Sequence, residues 1–375
     1  MGQIYVLTMF SGPLYSRSIL PLRQLETWAP FHLDALGLVT LIGAEDVSKA
    51  IGRLVRSRYT TFLPLLGAYL IAGSQFTESS PGFSLYEVND SIKTSSVSGW
   101  FGRWLSSQKI QKATTTFEWT HREGPRKMSW YTLLTNSIGL WLLASLTILA
   151  ILMGDFWGLS NALAMFVSVM VRWYLVRENV FSLDDSSKRA FDKKDPDYQD
   201  FWKETVRCFI ELPNGDMVTL IAPERVVIDC IVRTPAIRKP WSYQFATRLG
   251  WLSFGVHIIT IGQSNLVSQI CAIVLLTISS WLTVHGVGCN ESELGKHITL
   301  ERRPPLYADI LDRRMCAYGA IEPMPDEEEA MVGWGLLPRK SNHEWWNIYE
   351  NFKQDYQKRK EGAEQKQVTS SSSPV

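Results

Sequence analysis

Few residues of this chain could do chemistry, and most of those lie inside apolar stretches. The six histidines (His32, His121, His257, His285, His297, His343) form neither HxxxH nor HxxHH. No paired acidic clusters appear of the kind that hold metals for prenyl-transfer or iron chemistry. GxSxG, the Walker loop and GxGxxG are also missing; Gly286-Val-Gly288 lacks the third glycine. Neither a metal nor a cofactor is expected. What remains is Asp155 and His257, a carboxyl and an imidazole that could pass a proton to a lipophilic substrate if the fold brought them together. Around them lie Asn161, Arg172, Gln263, Asn265, Gln269 and His285. Polar groups within a bilayer often mark function. The structural alternative is a hydrogen bond between His257 and Gln269, each ~6–9 Å from a shared turn, tying two helices. Arg172 has two readings as well, an anion ligand or an arginine snorkelling to the headgroups beside Trp173 and Tyr174.

The elements that would position these groups are two long apolar stretches. From Leu249 to Asn290 there is no Asp, Glu, Lys or Arg. That is about twice the ~20 residues that one helix needs to cross a bilayer. Gly262-Gln-Ser-Asn265 interrupts it, which predicts spans over 247–263 and 266–287. Residues 131–171 repeat the design with one acidic residue, Asp155, in the turn Gly154-Asp-Phe-Trp-Gly158. The predicted spans there are 132–153 and 157–176. The fold class expected is mainly α: an integral membrane protein with two transmembrane hairpins, a small cytosolic β-hairpin or sheet, and a helical tail.

Lysines and arginines flank both hairpins on their open sides, and neither turn contains one. Basic residues stay on the cytosolic side, so both termini and the middle loop are expected there. Ahead of the hairpins, 33–55 reads as an amphipathic interfacial helix. Residues 59–77 form a short uncharged run that leaves a fifth span open. In the middle loop, 182–200 reads as charged and disorder-like. Two alternating runs then flank Asn214-Gly215, a β-hairpin signal over 206–221, and Val226–Val232 could add a strand.

The region 288–357 reads as a helical tail. Ser341-Asn-His-Glu344 resembles a capping box ahead of Trp345, Ile348, Tyr349, Phe352 and Tyr356, spaced along one helical face. Residues 358–375 read as disordered. Pro304-Pro305-Leu306-Tyr307 is a PPxY tetrapeptide, which WW domains take in an aromatic groove; helix-start use of the prolines is the alternative.

Composition narrows the partners. A net charge of +1 gives no basic field, so nucleic acid is not expected. The 15 tryptophans fit a bilayer interface instead. The five cysteines (Cys208, Cys230, Cys271, Cys289, Cys316) lack CxxC spacing and read as free thiols. The sequons at Asn89 and Asn290 fall on the expected cytosolic side and should go unused.

Asp155–Ala162, the Asn-Gly strand pair and Arg248–Gly262 together resemble a group of multi-pass integral membrane proteins of filamentous fungi, with likeness over residues 130–350. The resemblance implies membrane topology, assigns no catalytic residue, and fits an accessory role beside a small-molecule pathway. Three classes stay open. One is a non-catalytic membrane scaffold or adaptor. Another is a membrane-embedded enzyme such as a cyclase. The third is a transporter subunit, which would require a homo-oligomer to form a pathway.

Overall fold

The computed structural model describes residues 44–66, 78–110, 113–122, 134–191, 205–303 and 313–371, with a few positions between 22 and 30. Its architecture corrects the expected fold class. Among the described residues the chain is mixed α/β, with ten α-helices and an eight-stranded mixed sheet in place of a small hairpin.

The sheet is assembled from three distant parts of the chain. The N-terminal part supplies β1 (Val55–Ser57), β2 (Ser79–Glu87), β3 (Ile92–Ser98) and β4 (Thr116–His121). The middle loop supplies β5 (Val206–Glu211) and β6 (Met217–Ala222) around the expected Asn-Gly turn. The remaining pair, β7 (Cys289–Leu294) and β8 (Ile298–Arg303), occupies the start of what reads as a helical tail. The order is β1-β7-β8-β4-β6-β5-β2-β3, with β4 and β6 parallel and the other pairs antiparallel.

Alternation along the strands sorts side chains onto two faces. Leu85, Cys208, Ile210, Val218 and Leu220 join one core with Trp100, Phe101 and Trp104 of α2 (Gly99–Ser107). Two buried indoles fix that helix: Trp100 Nε1 donates to the Cys230 carbonyl at 2.9 Å and Trp104 Nε1 to the Glu291 carbonyl at 2.8 Å. Val226–Val232 packs here too, but not as a strand. Glu224–Val226 is a short helix, α5, that continues as a π-helix over Val227–Val232. Val226, Val227, Cys230 and Ile231 are its buried apolar positions, a helical spacing that so short an apolar run leaves unspecified.

The other face meets the tail. Tyr86, Phe209 and Met217 pack with Tyr318, Met331 and Tyr349. These come from α8 (Arg314–Ala320), α9 (Pro325–Gly333) and α10 (His343–Ser371). The aromatic face of the last helix thus finds its partner in the protein's own sheet. Its cap is Asn342, whose Oδ1 accepts from Trp345 N–H at 3.3 Å, rather than Ser341. α10 also continues through residues 358–371, expected to be disordered. A charged clamp holds the layer down: Arg207 Nη2 donates to both Glu327 oxygens at 2.7 and 2.9 Å, and the glutamate side chain is 2% exposed. Arg207→Ala strands that carboxylate and is expected to cost about 3 kcal/mol. The check is chemical denaturation, with faster protease cleavage around 313–340 as the local signature.

The helical bundle holds α3 (Ile138–Met153), α4 (Phe156–Phe191), α6 (Pro240–Gln263) and α7 (Leu266–Val284). Among the described residues, three helices are long and apolar enough to cross a membrane, not four: 134–153, 156–191 and 266–284. α6 is long enough but is interrupted by Ser253, His257 and Thr260. Its buried Ala246, Gly250 and Ser253 let it lie along α4. α4 does not stop at residue 176. It runs to Phe191, ~54 Å at 1.5 Å per residue, and its second half lays Leu183 and Ala190 on the sheet core. The stretch 182–191 looks disordered because its buried face includes Ser182, Asp184, Ser186 and Ser187. Asp184 earns that burial by accepting the Lys296 and His297 N–H groups of the β7–β8 turn.

Of the expected interfacial helix over 33–55, the described part forms α1 (Ala44–Gly52), and its Val47 is buried against the bundle. Residues 53–55 leave the helix, and 59–66 form turns and extended chain rather than a span. The rest of 59–77, residues 33–43 and the PPxY residues Pro304, Pro305 and Tyr307 lie outside the described residues.

Candidate functional site

Asp155 sits where the two helical turns meet. Gly154 ends α3 in the left-handed conformation (φ 75°), which turns the chain and leaves Asp155 at the start of α4. One carboxylate oxygen accepts the Gly158 N–H at 2.8 Å, capping α4. The other accepts the Asn265 N–H at 3.0 Å, at the start of α7. A single buried carboxylate therefore terminates two helices, each of which presents orphan N–H groups and a partial positive charge. Gly158 is required close by, since a Cβ there would meet both Asp155 and Ser268.

This arrangement overturns the expected tie between His257 and Gln269. Gln269 Nε2 donates to the Ser264 carbonyl at 2.9 Å, satisfying the end of α6 instead. His257 is 4% exposed, and among the described residues neither ring nitrogen has a hydrogen-bond partner. It therefore makes no bond to Asp155, and the acid–base pair is not formed. Asn161 Oδ1 is likewise buried without a partner. One turn along α6, Ser253 donates to the Ala164 carbonyl at 2.7 Å and meets Ser168 at 3.0 Å. Gln263 is exposed, and His285 is an exposed ring tilted against Trp281 with centroids 4.6 Å apart.

At the opposite end of the bundle, where it joins the sheet, there is a cavity of about 210 Å³. The end of α1, β1, the 60–65 segment and α4 enclose it. Arg53, Arg172 and Arg177 line it, with no acidic residue in the lining. Arg172 is 5% exposed, so the snorkelling reading fails. Its Nη2 donates to the Thr61 carbonyl at 2.8 Å and also to the Thr60 and Leu63 carbonyls. Arg53 is 6% exposed; Nη1 meets Glu291 at 2.8 Å, and Nε is buried without a partner among the described residues. Arg177 is exposed and lies over the rings of Trp173 and Phe181, 4.8 and 5.1 Å from their centroids. Of these three, sequence reading marked only Arg172. The cavity joins residues more than a hundred positions apart, so no local pattern announces it.

The five cysteines are free, as expected. Burial raises the Cys208 and Cys230 thiols well above their ordinary range, which keeps them protonated and unreactive. Among the described residues, no group of His, Cys, Asp and Glu is placed to hold a metal. Comparison with protein-family models, with curated proteins and with solved structures finds no match.

Proposed function

We propose that this protein is a non-catalytic membrane scaffold, with its helical bundle in the bilayer and its sheet and tail on the cytosolic face. The double capping by Asp155 carries this reading. The carboxyl that the sequence offers for proton transfer, Asp155, is engaged by backbone amides on both oxygens. The bundle's outer surface supports membrane placement. Trp141, Ile148, Ile151, Leu163, Leu252, Ile259, Val274 and Ile278 are all exposed. A water-facing surface rarely carries so continuous an apolar patch. The protein is expected to stay in the membrane pellet at alkaline pH and to leave it only with detergent. Release by carbonate alone would defeat the proposal.

The cytosolic assignment rests on the basic flanks of the hairpins. Asn89, in the β2–β3 turn, and Asn290, in β7, belong to one sheet and so share one side of the membrane. Neither is expected to carry glycan. A mobility shift on glycosidase treatment that vanishes in Asn89→Gln or Asn290→Gln would reverse the orientation.

His257 supports a second reading, a membrane enzyme using its unpaired imidazole on a lipophilic substrate. His257→Phe separates the two. The scaffold tolerates an apolar ring of similar bulk at a site without hydrogen bonds. The enzyme loses about 10²–10⁴-fold in rate at unchanged abundance.

A further inference from the structure

We propose that the three-arginine cavity binds a phosphate-bearing anion, presented as the headgroup of an anionic phospholipid in the leaflet next to the sheet. The inference rests on the membrane placement above. Burying a guanidinium without a counter-charge is costly, and an anion removes the cost. Arg172 bonds only neutral carbonyl oxygens, all through Nη2. Nε and Nη1 have no protein partner among the described residues and remain free for a ligand. Arg53 is half-committed, with Glu291 on Nη1 and nothing on Nε. Arg177 adds a third cation at the mouth, held flat by Trp173 and Phe181. Planar guanidinium forks suit phosphate oxygens.

Depth and size name the source of the phosphate. Arg172 is seventeen residues beyond Asp155 on one helix, ~25 Å at 1.5 Å per residue. With the turns at one surface of a ~30 Å hydrocarbon core, Arg172 lies ~5 Å inside the other surface and Arg177, five residues further along α4, reaches its headgroup level. Trp173 and Arg177 are the aromatic and basic residues usual at that level. At about 210 Å³ the cavity is smaller than most drug-sized pockets and suited to a headgroup.

The test uses the purified full chain in neutral detergent and reads its unfolding temperature. Added phosphatidic acid is expected to raise it with dose, and phosphatidylcholine is not. Inorganic phosphate should need at least about tenfold more, because acyl chains add apolar burial to the same contact. Arg177→Gln removes an exposed side chain with no carboxylate partner among the described residues. It should keep the lipid-free unfolding temperature and weaken phosphatidic acid binding about tenfold. Arg172→Lys keeps the charge, loses the fork, and should weaken binding in the same direction. Equal responses to the two lipids, or equal affinity in parent and Arg177→Gln, would overturn the site. Inorganic phosphate acting at the lipid's own concentration would overturn the lipid as its ligand. The pellet assay is independent: a protein retained in membranes without lipid preference loses this site and keeps its placement.

Discussion

Asp155→Ala is expected to lower stability by about 3–5 kcal/mol, among the largest effects available to a single side chain here. Two charge-assisted hydrogen bonds to backbone N–H groups are lost together, each worth about 1.5–3 kcal/mol. A helix cap alone contributes about 1 kcal/mol. The two N–H groups cannot turn to water, because Asp155 is buried at the helix junction. Asp155→Asn retains one carbonyl oxygen and should preserve one cap, losing about half as much. The measurement is thermal unfolding of the purified variants beside protein abundance in cells. Any cellular output should fall only in proportion to folded protein. Normal abundance with abolished output in Asp155→Asn would show the carboxyl taking part in a reaction and would sink the scaffold.

The second large effect concerns Gly139. A Cβ there would run into the Phe62 carbonyl and the Leu63 nitrogen, which are backbone atoms that no rotamer change can move aside. α3 is thus seated directly on the 60–63 segment whose carbonyls receive Arg172. Gly139→Ala should cost about 1–3 kcal/mol as an overpacked contact. It should also weaken the phosphatidic acid response by displacing the carbonyls that orient Arg172. Gly255, in the middle of α6, is the matched control, since a Cβ there meets nothing within 4 Å. Gly255→Ala should be neutral or gain up to about 1 kcal/mol from helix propensity. Equal losses at both positions would mean that helix glycines matter here for flexibility rather than for close approach.

Both hairpins were legible in the chain because their signals are local. Uncharged runs of helical length, broken by Gly154–Gly158 and Gly262–Asn265, place the two turns, although α4 runs fifteen residues past its expected end and α6 starts seven residues before its expected beginning. The β5–β6 hairpin was legible for the same reason, through alternation around Asn214-Gly215. The partners of Asp155 are not legible in the same way. Its position in a turn was plain, but a carboxylate awaiting a substrate and one bonded to the next hairpin have the same sequence. Only the approach of Asn265, 110 residues away, distinguishes them.

The sheet was hidden by the same limit. β7, Cys-Asn-Glu-Ser-Glu-Leu, carries little apolar character and reads as polar tail; it is a strand because β1 and β8 lie on either side. β4 pairs with β6 across one intervening helical hairpin and with β8 across two. The serines and Asp184 of α4 look solvated until the sheet covers them. Local composition by itself determined which segments are helical and apolar, since periodicity and charge act within a few turns. Tertiary structure alone decided the eight-stranded sheet, the double cap and the arginine cavity. Each is a set of contacts between distant segments, and hydrogen-bond partners and excluded water are properties of that assembly.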